Sequence, residues 1–155
     1  MVQKQKKLNP IAQVTAEIGA LLRLYPDGIF ITQTSKSFSW TVVVCPTPLS
    51  QTYKIRLDYQ YGDTPRVYVT DPYPLGKYPG KKVLPHVYST KNQQICLYYP
   101  GIGEWNRDML LARTIVPWAS EWLLFYELWL STGVWLGEGL HPTQNKKEED
   151  KKGEE

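Results

Sequence analysis

Cysteine and histidine are scarce, two of each in 155 residues. Cys45 and Cys96 share no CxxC or other zinc-type spacing, which argues against a disulfide-stapled scaffold and against a structural zinc. His86 and His141 do not make a metal site by spacing either. Long apolar runs are missing too. The nearest approach, residues 114–130, is broken by Pro117, Ser120, Glu121 and Glu127, so no membrane span is expected. The basic start Met1-Val2-Gln3-Lys4 has no apolar segment behind it, which argues against a secretory leader and for a cytoplasmic protein. No GxxxxGK[ST] occurs, and Gly101-Ile102-Gly103 is too weak to be a nucleotide loop, so no cofactor is expected. Charge of one sign is also lacking. The net +3 divides into three Lys in residues 1–7, four Lys against five acids in 146–155, and 11 basic against 10 acidic residues between. Only Lys77, Lys81 and Lys82 cluster, which disfavours nucleic-acid binding.

Aromatic residues, by contrast, are plentiful, with 6 Trp and 11 Tyr. The length suits one domain with a sizeable core. A disordered basic arm is expected over 1–7 and a disordered charged tail over 145–155, leaving 8–144 as the domain. Asn9-Pro10 opens a helix, and Ile11, Val14, Ile18, Leu21 and Leu22 give it one apolar face before Pro26-Asp27-Gly28 stops it. Four β-rich segments follow at 28–32, 38–44, 53–59 and 66–69, and their short links favour an antiparallel meander. Residues 71–85, DPYPLGKYPGKKVLP, are too rich in proline and glycine for a helix or central strand and form a loop running into His86. A short helical stretch is expected within 105–113, and the clearest helix runs from Pro117 to Ser131, before Gly133. Its Trp118, Trp122, Phe125 and Trp129 form one stripe, beside Leu123, Tyr126 and Leu130; a core helix is one reading of that face, a docking surface the other.

Cys96 sits in Ile95-Cys96-Leu97-Tyr98-Tyr99, ten residues after His86. A cysteine between Ile and Leu packs as a small apolar side chain in most proteins, and Cys45, in Val-Val-Val-Cys-Pro, keeps that mid-strand core reading. The order of parts around Cys96 points elsewhere. A helix and meander lead to a proline-rich loop with Tyr73-Pro74 and Tyr78-Pro79. His86, Ile95-Cys96-Leu97, Trp105 and further helices follow. In this order the chain resembles the ubiquitin-conjugating enzymes over about residues 8–135. His86 matches the family's motif His, and Ile95-Cys96-Leu97 its catalytic strand. The run TIVPWASEWLLFYELWLSTGVW, with LPHVYS and ICLYYP, is similar to the stand-alone conjugating-enzyme-like proteins of short type II CBASS antiphage operons.

That resemblance implies an α+β ubiquitin-conjugating-enzyme-like fold: N-terminal helix, four-stranded antiparallel meander, active-site loop and C-terminal helices. It implies that Cys96 forms a thioester with the C-terminal tail of a cGAS-like nucleotidyltransferase and passes it to an amine, the lysines of target proteins. His86 and Tyr88 become the catalytic candidates beside it. The family motif is His-Pro-Asn, in which the His mostly holds the loop and the Asn steadies an oxyanion. Positions 87 and 88 are Val and Tyr here, which leaves the Tyr88 hydroxyl as candidate donor. A groove for the donor tail is expected beside Cys96 along Tyr78, Pro79, Tyr98 and Tyr99. The donor carboxylate is expected either from a separate activating protein or as an already activated or peptide-linked group. The residues alone leave two rivals open: a cysteine hydrolase using Cys96 and His86, and an inactive binding module presenting the aromatic helix.

Overall fold

The computed structural model describes residues 8–99, 101 and 103–137; the expected arm, the expected tail and His141 lie outside them. Helix α1, Pro10–Leu24, starts where the Asn9 side chain accepts the Ala12 N–H at 2.8 Å and Pro10 occupies a first-turn position that needs no donor. Its buried face is Val14, Glu17, Ala20 and Leu21, a correction to the expected stripe: Ile11 and Leu22 are more than half exposed. A polar contact accompanies this rotation. The Glu17 carboxylate accepts the Leu111 N–H at 2.9 Å, so an acidic residue takes a core position with its partner built in.

The sheet comprises β1 Ile29–Gln33, β2 Ser37–Val44, β3 Tyr53–Gln60, β4 Arg66–Asp71, β5 Val87–Ser89 and β6 Gln94–Ile95. Their order is β1-β2-β3-β4-β6-β5, with every pair antiparallel. The expected four strands are thus six. The added pair has three and two residues, too short for an alternation to register in sequence. Alternating residues of β2 and β3 (Phe38, Trp40 and Val42; Tyr53, Ile55, Leu57 and Tyr59) face the core. Helix α2, Ile115–Thr132, meets them with Ala119, Trp122, Leu123, Tyr126 and Trp129. It begins two residues before the expected start, because Pro117 is tolerated in a first turn. Gly133 ends it in the left-handed region, φ 75°, with its N–H on the Trp129 carbonyl at 2.7 Å. The helical stretch expected within 105–113 is only a 3₁₀ turn, Leu111–Arg113.

Cys45 also departs from expectation. It lies one residue beyond β2, exposed, with its Sγ directed to the Thr47 carbonyl at 3.0 Å. Pro46 follows it and ends the ladder, so the apolar run Val42–Val44 does not carry the thiol into the core. Among the described residues no helix is long and apolar enough to cross a membrane.

The proline-rich segment 71–85 is tied down. Leu75 and Leu84 are buried in the core cluster, and the 90–93 turn between β5 and β6 holds the loop by side-chain bonds. Gln93 is the centre of this arrangement. Its Oε1 accepts the Leu75 N–H at 2.6 Å, while its Nε2 donates to the carbonyls of Val69 at 2.8 Å and Pro72 at 3.1 Å. Thr90 accepts the Leu84 N–H, and Tyr73 donates to the Lys91 carbonyl.

Candidate active site

The ten-residue spacing from His86 to Cys96 has a structural cause. It is the length of the β5–turn–β6 hairpin, whose register pairs Val87 with Ile95. One step outward, the Cys96 N–H donates to the His86 carbonyl at 3.0 Å. That same carbonyl accepts the Trp122 indole N–H at 2.9 Å, which fastens the hairpin to α2. His86 reaches this position with a left-handed backbone, φ 46°, an uncommon conformation for a residue with a Cβ. Its buried imidazole stacks on Trp135, ring centroids 4.7 Å apart.

Cys96 is 7 % exposed and lines a cavity of about 640 Å³. Trp118, Glu121, Trp122 and Phe125 of α2 form one wall, residues 135–137 another, and Tyr98 and Glu104 stand beside the cysteine. The thiol is directed to the Tyr98 carbonyl at 3.3 Å. Tyr88 donates to that carbonyl too, with a longer contact of 3.4 Å, and its hydroxyl also engages the Cys96 sulfur. A second cavity, about 160 Å³, lies against Tyr88, Ile95 and Tyr98. Cys96 therefore stands between an aromatic cavity and a tyrosine hydroxyl.

Burial pushes the Cys96 thiol above its ordinary pKa, and the Glu104 carboxylate adds to this. Hydrogen bonds from Tyr88 and at the Tyr98 backbone pull the other way. The Tyr88 hydroxyl is itself pushed up, by burial first and by its bond to Cys96 second, so it stays protonated and able to donate. At neutral pH the resting pair is a thiol beside a phenol.

Of the residues singled out in the sequence, Cys96, His86 and Tyr98 line the larger cavity, and Tyr88 reaches the same sulfur. Tyr99 is 39 % exposed, with its N–H on the Glu104 carboxylate at 3.0 Å. Tyr78 and Pro79 are not among the cavity's lining residues. The Tyr78 ring packs instead on Gly133, where an added Cβ would come within 2.8 Å of it. The wall facing Cys96 is thus the α2 face, whose Trp122 and Trp129 are buried and whose Trp118 and Phe125 are half-buried. The core reading of the aromatic stripe holds for Trp122 and Trp129.

A family model for the type II CBASS E2 protein matches residues 17–142, well over half of the chain. The chain belongs to that family. The E2 protein accordingly has a conjugation-related role in CBASS antiphage defence. No curated protein matches it. Four residues gave no sequence signal for the part they play in this site. Gln93 is one polar residue among several, and Trp122 was legible as core but not as the donor to His86. Glu104 and Trp135 follow the two glycine-containing breaks and show no periodicity. Among the described residues, no cluster of three His, Cys, Asp or Glu gathers to hold a metal.

Proposed function

We propose that this E2 protein forms a thioester at Cys96 with the C-terminus of a cGAS-like nucleotidyltransferase and passes the acyl group to a lysine amine. The observation that carries this reading is the setting of Cys96: a thiol at a substrate-sized cavity, held by the motif His backbone and contacted by a tyrosine hydroxyl. Cys45 lines a different cavity, with Tyr25, Val43, Pro46 and Pro117, and its Sγ is directed to the Thr47 carbonyl.

In the first step the Cys96 thiolate attacks the activated carbonyl carbon of the donor tail. The C–S bond forms and the activating group leaves. Tyr88 donates first to the thiolate and then toward the oxyanion that develops next to it, the task left open by Val87 and Tyr88 in the family motif. His86 is a positioning residue that acts through its carbonyl, which orients Cys96 and fixes the hairpin on α2. The donor tail lies along the exposed rim of β5, over Tyr88 and Tyr99 with Tyr98 beneath. Rigid tyrosines there bury an extended peptide at low entropic cost.

Co-expression with the nucleotidyltransferase tests this. Deleting the partner's last few residues abolishes the adduct at Cys96 and leaves most of the complex intact. A truncated partner that still gives the adduct contradicts the reading.

A further inference from the structure

The cavity beside Cys96 carries charge of one sign at its mouth. Its acidic lining residues are Glu104 and Glu121, and among the described residues no lysine or arginine lines it. Both are exposed, and among the described residues neither is paired with a cation; the ion pair among those residues, Arg56–Asp58, lies on β3, away from this cavity's lining. Glu104 is fixed, because one of its oxygens accepts the Tyr99 N–H. Glu121 follows Trp118 by three residues on α2 and precedes Phe125 by four, which puts all three on one helix face. Trp118 is held in turn against Tyr98, ring centroids 6.1 Å apart. Carboxylates at the rim of an aromatic wall are the chemistry that recognises a primary ammonium on an aliphatic arm: charge at the mouth, ring faces for the methylenes and the cation. The same charge repels a carboxylate, so this side of Cys96 suits the acceptor and not an acidic donor tail.

We propose that Glu104, Glu121 and Trp118 select the acceptor, binding a lysine ammonium in the cavity on the α2 side of Cys96. The proposal rests on the transfer reading above and adds the residues that choose its acceptor. The chemistry balances without a further reactant. The bound ammonium gives up one proton to water through the rim carboxylates, and its nitrogen attacks the thioester carbonyl. The C–S bond breaks, the amide forms, and the second proton moves from nitrogen to the Cys96 sulfur. A sulfur that burial keeps protonated is a good recipient for it. The carboxylates raise the local concentration of acceptor and do not lower the pKa of its amine, so their effect falls on the concentration of acceptor required.

The test compares two nucleophiles on the same loaded protein. Wild type and the Glu104→Gln/Glu121→Gln double variant are charged with the donor, then discharged with Nα-acetyl-lysine amide or with hydroxylamine, which is uncharged at neutral pH. Because the readout is the ratio of two discharge rates, loading yield drops out. The double variant is expected to lower the lysine-to-hydroxylamine ratio about tenfold, the worth of two partly exposed ion pairs, through a higher half-saturating lysine concentration. Raising the salt should narrow the gap between wild type and variant. An unchanged ratio overturns the proposal and leaves the transfer reading standing. A wild-type protein that never loads overturns the transfer reading, and the acceptor site with it.

Discussion

At the scale of single residues, the proposed chemistry depends on what surrounds one sulfur. Burial, and then Glu104, hold the Cys96 thiol above its ordinary pKa, while Tyr88 opposes them. Since the thiolate is the nucleophile, the rate of thioester formation should climb with pH from 7 to 9. Tyr88→Phe removes a bond that lowers the pKa, so its profile should move to higher pH. At neutral pH the loss should be roughly tenfold to a hundredfold, the worth of one donor to a developing negative charge. Glu104→Gln removes a charge that raises the pKa, so its loading profile should move the opposite way. Stopped-time loading assays across that pH range check both signs; profiles that coincide would reduce Tyr88 to packing. Cys45 behaves differently. It is exposed where Cys96 is buried, so a small alkylating reagent should modify Cys45 first, although the acyl adduct is proposed on Cys96. Peptide mapping after brief alkylation checks this, and faster labelling of Cys96 would contradict the burial argument.

At the scale of elements, the hairpin β5–turn–β6 and the loop it restrains make the site. Gln93→Ala would strip partners from the Leu75 N–H and from the Val69 and Pro72 carbonyls at once. A cost of about 3 kcal/mol or more in unfolding free energy is expected, since buried polar groups left unpaired cost on the order of 1–3 kcal/mol each. Denaturant unfolding measures it, and a cost below about 1 kcal/mol would mean that water replaces the lost bonds. Trp122→Phe keeps most of the packing and removes the donor to His86. It should slow loading more than it lowers the thermal midpoint. Long periodic elements were legible in the sequence: α1, the strands around Trp40, Ile55 and Val67, and α2 all stand near their expected positions. The His86-to-Cys96 spacing was legible as a motif, although its cause, a hairpin closed by the Cys96 N–H, was not. What escaped had no period or composition to show it. The buried face of α1 includes a carboxylate, β5 and β6 are too short to alternate, and Cys45 left the core because the ladder stops just before it.

At the scale of the whole molecule, one buried acid links stability to pH. Glu17 is 2 % exposed, and burial raises its pKa from 4.5 to about 7, against the lowering effect of the Leu111 N–H. The folded protein therefore keeps a proton that the unfolded chain releases near 4.5. Stability should fall as pH rises from that value through about 7, and the full penalty should persist above it. Glu17→Gln retains an acceptor for Leu111 and removes the charge. The variant should gain on wild type by roughly 2–3 kcal/mol between pH 5 and pH 8, read by denaturant unfolding at both. A constant difference between the two pH values would contradict the assignment. The function proposed for the molecule is the joining of two proteins at Cys96, and mass reads it directly. The decisive measurement is the intact mass of the E2 protein after co-expression with its nucleotidyltransferase, without reductant, before and after hydroxylamine. The account predicts the sum of the two chains less one water, returning to the bare chain with hydroxylamine, a longer-lived oxyester for Cys96→Ser and no adduct for Cys96→Ala. An adduct that survives in Cys96→Ala, or a peptide released from the partner with no adduct at any time, would contradict it.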